Sequence, residues 1–254
     1  MSVRITAERS KGIALLHACP LEMTGRPLPT VILFHSFGVS KEVVSFLGYM
    51  LAAAGMRCLM PEAPFHGERF DGDAVLRQRA FWNICTTYVD EAEALRDAFR
   101  PLIADPDRIG VTGTSMGGFA AIAATARYDW VAATASFMGS AYFHRSSRAL
   151  FPPLGSYDVN TADAHDSAMR TIPDPSATLC RLADRPIWLW HGQRDDVVHF
   201  SNALDLQADL RAMDGAGRLE VSLDPTGSHR VTDTAARSGV AFLSRELDVG
   251  SRSS

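Results

Sequence analysis

Ser115 lies at the centre of Gly113-Thr114-Ser115-Met116-Gly117, a G-x-S-x-G run whose serine hydroxyl could attack a carbonyl carbon. For that the serine must stand clear of the backbone, and a sharp strand-to-helix turn achieves it by forcing strained φ/ψ. Glycines two positions to either side let the chain turn without Cβ clashes. The unpaired N–H groups and positive dipole end of the following helix favour an oxyanion beside the serine, with the Met116 N–H as the expected donor. By itself the pentapeptide arises by chance in roughly one chain in ten of this length. Its setting adds the weight: residues 107–112 read as a short buried strand introduced by Asp105-Pro106-Asp107, and residues 116–127 are Ala-rich and helix-compatible.

A serine hydroxyl is a poor nucleophile at neutral pH, so it needs an imidazole to take its proton and an acid to orient that imidazole. On a doubly wound sheet with this elbow the chain order is Ser, then Asp or Glu, then His. Downstream of Ser115 stand His144, His165, His191, His199 and His229. The acid belongs in a loop just after a later strand, and His191-Gly192-Gln193-Arg194-Asp195-Asp196-Val197-Val198 follows an apolar strand in that way. Spacing within an H-G-x-x-D-x-V-V pattern favours Asp195 and leaves Asp196 as a turn or N-cap residue; a solvated turn carboxylate is the plain alternative for both. Of the histidines, only His199 and His229 follow that acid. His199, four residues beyond Asp195 at a helix entrance, is too close for an easy approach. His229 sits in the turn-rich Pro225-Thr226-Gly227-Ser228-His229-Arg230, between the last strand and the last helix, where the fold would deliver a base. The second oxyanion donor should come from the loop His35-Ser36-Phe37-Gly38, as the Phe37 N–H. Ser36 stands there in place of the more usual glycine and permits fewer backbone conformations.

These residues need a scaffold, and the chain alternates strand-like and helix-like segments after an opening stretch, 3–19, that could form a hairpin around Arg9-Ser10-Lys11-Gly12. Such alternation implies an α/β fold: a mostly parallel, doubly wound sheet with helices on both faces. Strands are expected at 30–35, 57–61, 108–112, 131–137, 186–191 and 218–223, the last alternating as an edge strand would. Helices are expected at 41–54, with Ser40 as N-cap, then 84–100, 116–127, 201–213 and 231–246. Residues 140–180 break the alternation and follow a strand end, so they read as a short lid or pocket wall, with an inert connection as the plain alternative. Residues 1–254 read as one domain, with 250–254 a flexible tail. Ligands bind beyond the carboxyl ends of such strands, which places Phe37, Phe65, His66, Met138 and Tyr142 as candidate pocket residues; for each, core packing is an equal reading. His66 could contact substrate or belong to a turn that pins the lid.

Composition narrows the class. The 254 residues are 46% hydrophobic and 21% charged, as in an ordinary globular protein able to bury a full core. A formal net charge of −4, with no five-residue window dominated by Lys or Arg, argues against a nucleic-acid partner. The first residues lack an apolar h-region, and no apolar run approaches the 18 residues or so of a membrane span, so a cytoplasmic, unanchored protein is expected. Cys19, Cys58, Cys85 and Cys180 are scattered without C-x-x-C spacing, and no H-x-x-x-H occurs; reduced thiols and the absence of a metal or cofactor site are the expectation.

Further stretches extend the pattern along the chain: Ser40-Lys41-Glu42, Pro64-Phe65-His66-Gly67-Glu68-Arg69-Phe70, Phe81-Trp82, Met138-Gly139-Ser140-Ala141-Tyr142-Phe143 and Leu189-Trp190-His191-Gly192. With these the sequence resembles the α/β-hydrolase superfamily, and within it the small bacterial carboxylesterases of the YjfP type, related to dienelactone hydrolases and the catalytic domains of prolyl oligopeptidases. The resemblance implies hydrolysis of small carboxylic esters by Ser115, Asp195 and His229 through an acyl-enzyme, without a cofactor. A serine where dienelactone hydrolases usually carry cysteine is a departure. A thioesterase or small peptidase would use the same three residues, and a binding protein could keep the fold without the chemistry.

Overall fold

The computed structural model describes residues 1–151, 162–213 and 218–249. Its elements run β1 (Val3–Ser10), β2 (Ile13–Pro20), β3 (Thr30–Phe34), α1 (Ser45–Ala53), β4 (Arg57–Pro61), α2 (Ala74–Arg79), α3 (Phe81–Phe99), β5 (Ile109–Thr114), α4 (Met116–Arg127), β6 (Val131–Phe137), α5 (Phe143–Ser147), α6 (Ala162–Met169), α7 (Cys180–Ala183), β7 (Ile187–Gly192), α8 (Ser201–Ala212), β8 (Leu219–Asp224) and α9 (Asp233–Glu246). Among the described residues the strands form one eight-stranded sheet in the order β1-β2-β4-β3-β5-β6-β7-β8. The β1–β2 hairpin is antiparallel and joins β4 antiparallel; from β4 to β8 every pairing is parallel. This is the α/β-hydrolase fold.

The apolar run of β3 shows why the sheet is covered on both faces. Side chains alternate across a strand, and here both sets are buried. Ile32 and Phe34 pack with Trp82 and Tyr88 of α3 and Phe119 of α4, while Val31 and Leu33 pack on the opposite face with Leu47 and Leu51 of α1 and Phe242 and Leu243 of α9. The outer strands differ: β1 is largely exposed, and β8, which ends the sheet, is half-buried along most of its length. Beneath this packing lies a buried arginine, Arg57, whose guanidinium donates to the carbonyls of Leu102, Thr24 and Arg26 at 3.0–3.1 Å. Paired donors of this kind are what makes a buried charge tolerable.

Several boundaries differ from expectation. The segment at 41–54 opens as a 3₁₀ turn, Lys41–Val44, and Ser40 sits at its cap in extended conformation without a side-chain bond to the backbone. The long helix begins at Phe81 and is preceded by α2, which the sequence pattern missed because none of its residues is buried. Asp73 caps α2 by accepting the Leu76 N–H at 2.8 Å. Within 140–180, α5 and α6 are helical, and α7 begins at the last residue of that stretch; the part of that insertion at 152–161 and the tail 250–254 lie outside the described residues.

Candidate active site

The strand register brings the chemically interesting loops together. β3 pairs with β5 so that Phe34 stands beside Gly113, and β7 pairs with β8 so that Gly192 stands beside Asp224. Ser115 follows β5 directly, with φ 53° and ψ −115°, and α4 begins at the next residue. A non-glycine residue in this region is strained by order 1–3 kcal/mol. The turn is held by the Ser115 N–H donating to Phe137 O at 2.8 Å. Gly113 and Gly117 are needed for close approach: a Cβ on Gly113 would lie 2.2 Å from Gly117 O, and one on Gly117 would lie 2.1 Å from Phe34 O.

His229 reaches the serine from the loop after β8. Its Nε2 lies 2.8 Å from Ser115 Oγ, and its Nδ1 lies 2.7 Å from Asp195 Oδ2. An ionised carboxylate can only accept, so Nδ1 carries the proton and Nε2 is left to accept from the serine hydroxyl. Asp195 is buried, and its other oxygen accepts the N–H groups of Val197 and Val198 at 2.9 and 2.8 Å. Burial by itself would raise the Asp195 pKa; hydrogen bonds from His191, His229 and the Val198 N–H outweigh it and hold the carboxyl well below the usual range. His191 is itself fixed by donating from Nε2 to Val198 O at 2.8 Å, 3.5 Å from the Asp195 carboxylate. Asp196 is exposed in the bend and does not cap α8, which starts at Ser201. His199 turns to Ser201, with Nδ1 2.8 Å from its hydroxyl.

The loop after β3 faces this assembly. Neither the Phe37 N–H nor the Met116 N–H is taken up by an acceptor among the described residues. Ser36, the departure from glycine, ties the loop to the elbow strand: its hydroxyl donates to Thr114 O at 3.0 Å and lies 2.7 Å from Thr114 Oγ1. A serine bonded to an imidazole that is itself bonded to a carboxylate, at the start of a helix, is an arrangement chemically suited to acyl transfer.

The prolyl oligopeptidase family matches residues 48–248. The chain belongs to that family. Esterase YjfP of Escherichia coli (strain K12) is 39% identical over 249 residues, covering 96% of this chain and all (100%) of the relative. The putative esterase YitV of Bacillus subtilis (strain 168) is 29% identical, with 96% and 100% covered. Among solved structures, TT1662 from Thermus thermophilus is similar with a TM-score of 0.77 at 24% identity, covering 98% of this chain and 99% of that one.

In this prolyl oligopeptidase family member the expected pocket residues have other occupations. Met138 is buried in the core against the α1 and α9 face, with φ 55°. Tyr142 is buried and donates its hydroxyl to Asp209 of α8 at 2.5 Å. His66 is fully buried with both ring nitrogens bonded inside the protein, so it offers a substrate no polar atom. Phe65 is half-buried against the α3 and α4 core cluster. Phe37, the fifth, packs in an aromatic cluster with Phe81 and Phe151, with centroids 4.7–5.5 Å apart. Trp82 anchors it by donating from Nε1 to Phe151 O at 2.8 Å. A hollow of about 480 Å³ lies over the Asp195 loop, bordered by Arg145, Leu150, Val198, His199 and Asn202.

Sequence reasoning missed a buried charge pair behind the β3 loop. Glu62, at the end of β4, is wholly buried and accepts from Lys41 twice, from the backbone N–H at 3.1 Å and from Nζ at 3.0 Å. The Lys41 ammonium also meets Glu68 at 2.7 Å and Glu42 at 3.0 Å. Burial by itself pushes Glu62 up and Lys41 down; hydrogen bonds from His35 and Lys41 outweigh it at Glu62, which is lowered to about 2, and those with Glu68, Glu42 and Glu62 outweigh it at Lys41, which is raised. Nothing in the spacing of residues 41 and 62 marks them as partners. Among the described residues no group of three or more His, Cys, Asp or Glu is placed to hold a metal ion, and no helix is long and apolar enough to cross a membrane.

Proposed function

We propose that the chain is a serine esterase that cleaves small carboxylic esters through an acyl-enzyme. The observation that carries this reading is the continuous hydrogen-bond chain from Ser115 through His229 to Asp195, starting at a serine held at φ 53°. Ser115 Oγ attacks the ester carbonyl while His229 Nε2 takes its proton, and Asp195 balances the resulting imidazolium. The oxygen that gains charge lies against the Phe37 and Met116 N–H groups. His229 then returns the proton to the departing alkoxide, and water repeats the sequence to release the acid. The protein's own groups supply every step, so no cofactor is invoked. Relatives named as esterases support the substrate class. A cytoplasmic setting belongs to the same proposal and accords with four cysteines standing as free thiols.

The test is a p-nitrophenyl ester chain-length series on the wild type and Ser115→Ala, with acyl-CoA and aminoacyl-anilide substrates alongside. Ser115→Ala should lower turnover by about 10⁴-fold or more. Retained activity would overturn the serine assignment, and faster turnover of thioesters or anilides would replace the ester reading.

A further inference from the structure

We propose that His66 is a positioning residue for the oxyanion loop, its ring holding the Gly38 N–H and so fixing the Phe37 peptide that precedes it. The inference rests on the reading of Phe37 as an oxyanion donor. His66 Nδ1 lies 2.7 Å from Pro64 O, an oxygen that can only accept, so Nδ1 carries the proton. Nε2 is therefore a lone-pair acceptor, and the Gly38 N–H donates to it at 2.9 Å. The ring also meets the other members of the loop edge-on: its centroid is 5.3 Å from that of His35 and 5.2 Å from that of Phe37. One buried side chain from the turn after β4 thus touches three residues of the loop after β3.

The turn is shaped to hold that ring. Phe65 and Gly67, on either side of His66, both have positive φ, 59° and 46°. Residue 67 has no room for a side chain, since a Cβ there would lie 1.9 Å from a Glu62 carboxylate oxygen. A strained non-glycine residue persists where the surroundings over-determine it, and here the result is a histidine aimed at the loop.

The bond to His66 has a distinct place among the tethers of this loop. Ser36 is tied to the elbow strand through Thr114, and Lys41 is tied to Glu62. Between them Phe37 leads into Gly38, which sits at φ 78°, and a peptide next to glycine can reorient at small cost. The His66–Gly38 bond is what opposes that reorientation. Burial lowers the His66 pKa to about 4, with His35, Arg77 and Glu62 as the charged or titratable neighbours, which keeps the ring in its accepting form at neutral pH.

The experiment compares His66→Ala and His66→Gln with wild type on one p-nitrophenyl ester, measuring kcat, KM, Tm and the affinity for a trifluoromethyl ketone that mimics the tetrahedral oxyanion. The glutamine amide oxygen falls near the position of Nε2 and can accept the Gly38 N–H. The expected result is a kcat lower by about 10- to 100-fold in the alanine variant with KM within about twofold, the ketone affinity falling in proportion, and most of kcat restored by glutamine. An unchanged kcat in His66→Ala, a loss confined to KM, or a folded His66→Gln protein no better than alanine would overturn the proposal. If the alanine variant does not fold, the glutamine variant decides alone, through near-wild-type kcat and ketone affinity or their loss. Failure of the serine esterase reading is separate: it shows as wild-type activity that survives Ser115→Ala.

Discussion

Asp195→Asn should nearly abolish turnover while Asp196→Asn leaves it intact, although the two side chains are adjacent and the change is one atom in each. Asp195 Oδ1 accepts two backbone N–H groups and Oδ2 accepts from His229 Nδ1. Asparagine can satisfy only one side. Turning its NH₂ toward Val197 and Val198 strands two donors, of which the buried Val198 N–H alone costs about 1–3 kcal/mol. The lower-energy choice keeps the oxygen there and points NH₂ at His229 Nδ1, which must then accept. The imidazole proton moves to Nε2, facing Ser115 Oγ, where no lone pair remains to take the serine proton. A wrong tautomer of this kind lowers kcat by about 10⁴, or about 5 kcal/mol of barrier. Asp196 is exposed and makes no ion pair with a described residue, so its asparagine variant should stay within about twofold. Steady-state kcat on p-nitrophenyl acetate, with Tm as a folding control, separates the two. Comparable losses in both variants, or less than about a tenfold loss in Asp195→Asn, would refute the reasoning. Stability provides a second reading. The folded Asp195 carboxyl binds a proton less readily than the unfolded one, whose pKa is near 3.8. Its contribution is therefore present above that value and lost as pH falls below it, and Asp195→Asn should flatten that acid limb.

Two further predictions concern the scaffold. Gly117→Ala would place a methyl 2.1 Å from Phe34 O, a backbone atom that cannot swing aside, so about 3 kcal/mol of destabilisation and a Tm fall of about 10 °C are expected; a Tm within about 2 °C of wild type would show that the elbow relaxes freely. Glu62→Gln removes the buried charge and leaves Lys41 with two half-exposed carboxylates, Glu42 and Glu68. The Glu62 carboxylate, held near 2 against 4.5 in the unfolded chain, contributes about 3 kcal/mol that is present above pH 4.5 and disappears as pH falls toward 2. Urea midpoints at pH 7 and pH 3 should therefore differ strongly in wild type and far less in the variant, and equal pH slopes would discount the pair.

The parts of this molecule that were legible in the sequence are those in which one physical requirement acts on contiguous residues. A strand buried on both faces must be continuously apolar, so Val31 to Phe34 and Ile187 to Trp190 announced themselves, and the loops that follow them were located along with them. Chain order then limited the candidate acid and base to Asp195 and His229, whose side chains lie within hydrogen-bond distance of each other. Contacts between distant polar residues carry no such signature. Lys41 and Glu62 look like solvated charges until β2 and β4 close around them, and Tyr142 looks like a pocket wall until Asp209, 67 residues later, takes its hydroxyl. The α2 helix was missed for the opposite reason: with no residue buried, it has no apolar stripe to read.

The buried polar groups bonded to His229 and to the loop after β3 share an electrostatic logic that bears on the proposed chemistry. Asp195 is held ionised by its donors, Glu62 by Lys41, and His66 is held neutral by burial, each well removed from neutral pH. All of them hold something still: Asp195 the imidazole, Glu62 the far end of the β3 loop, His66 its middle. With their protonation states fixed, the proposed path for the Ser115 proton leads to the Nε2 of His229, which lies 2.8 Å from the hydroxyl. Fixing the surroundings also lowers the reorganisation required when charge moves, which is where a preorganised site gains most over water. The strain at Ser115 and Phe65 belongs with this arrangement, because both residues take positive φ just beyond the carboxyl ends of strands of the packed sheet, β5 and β4.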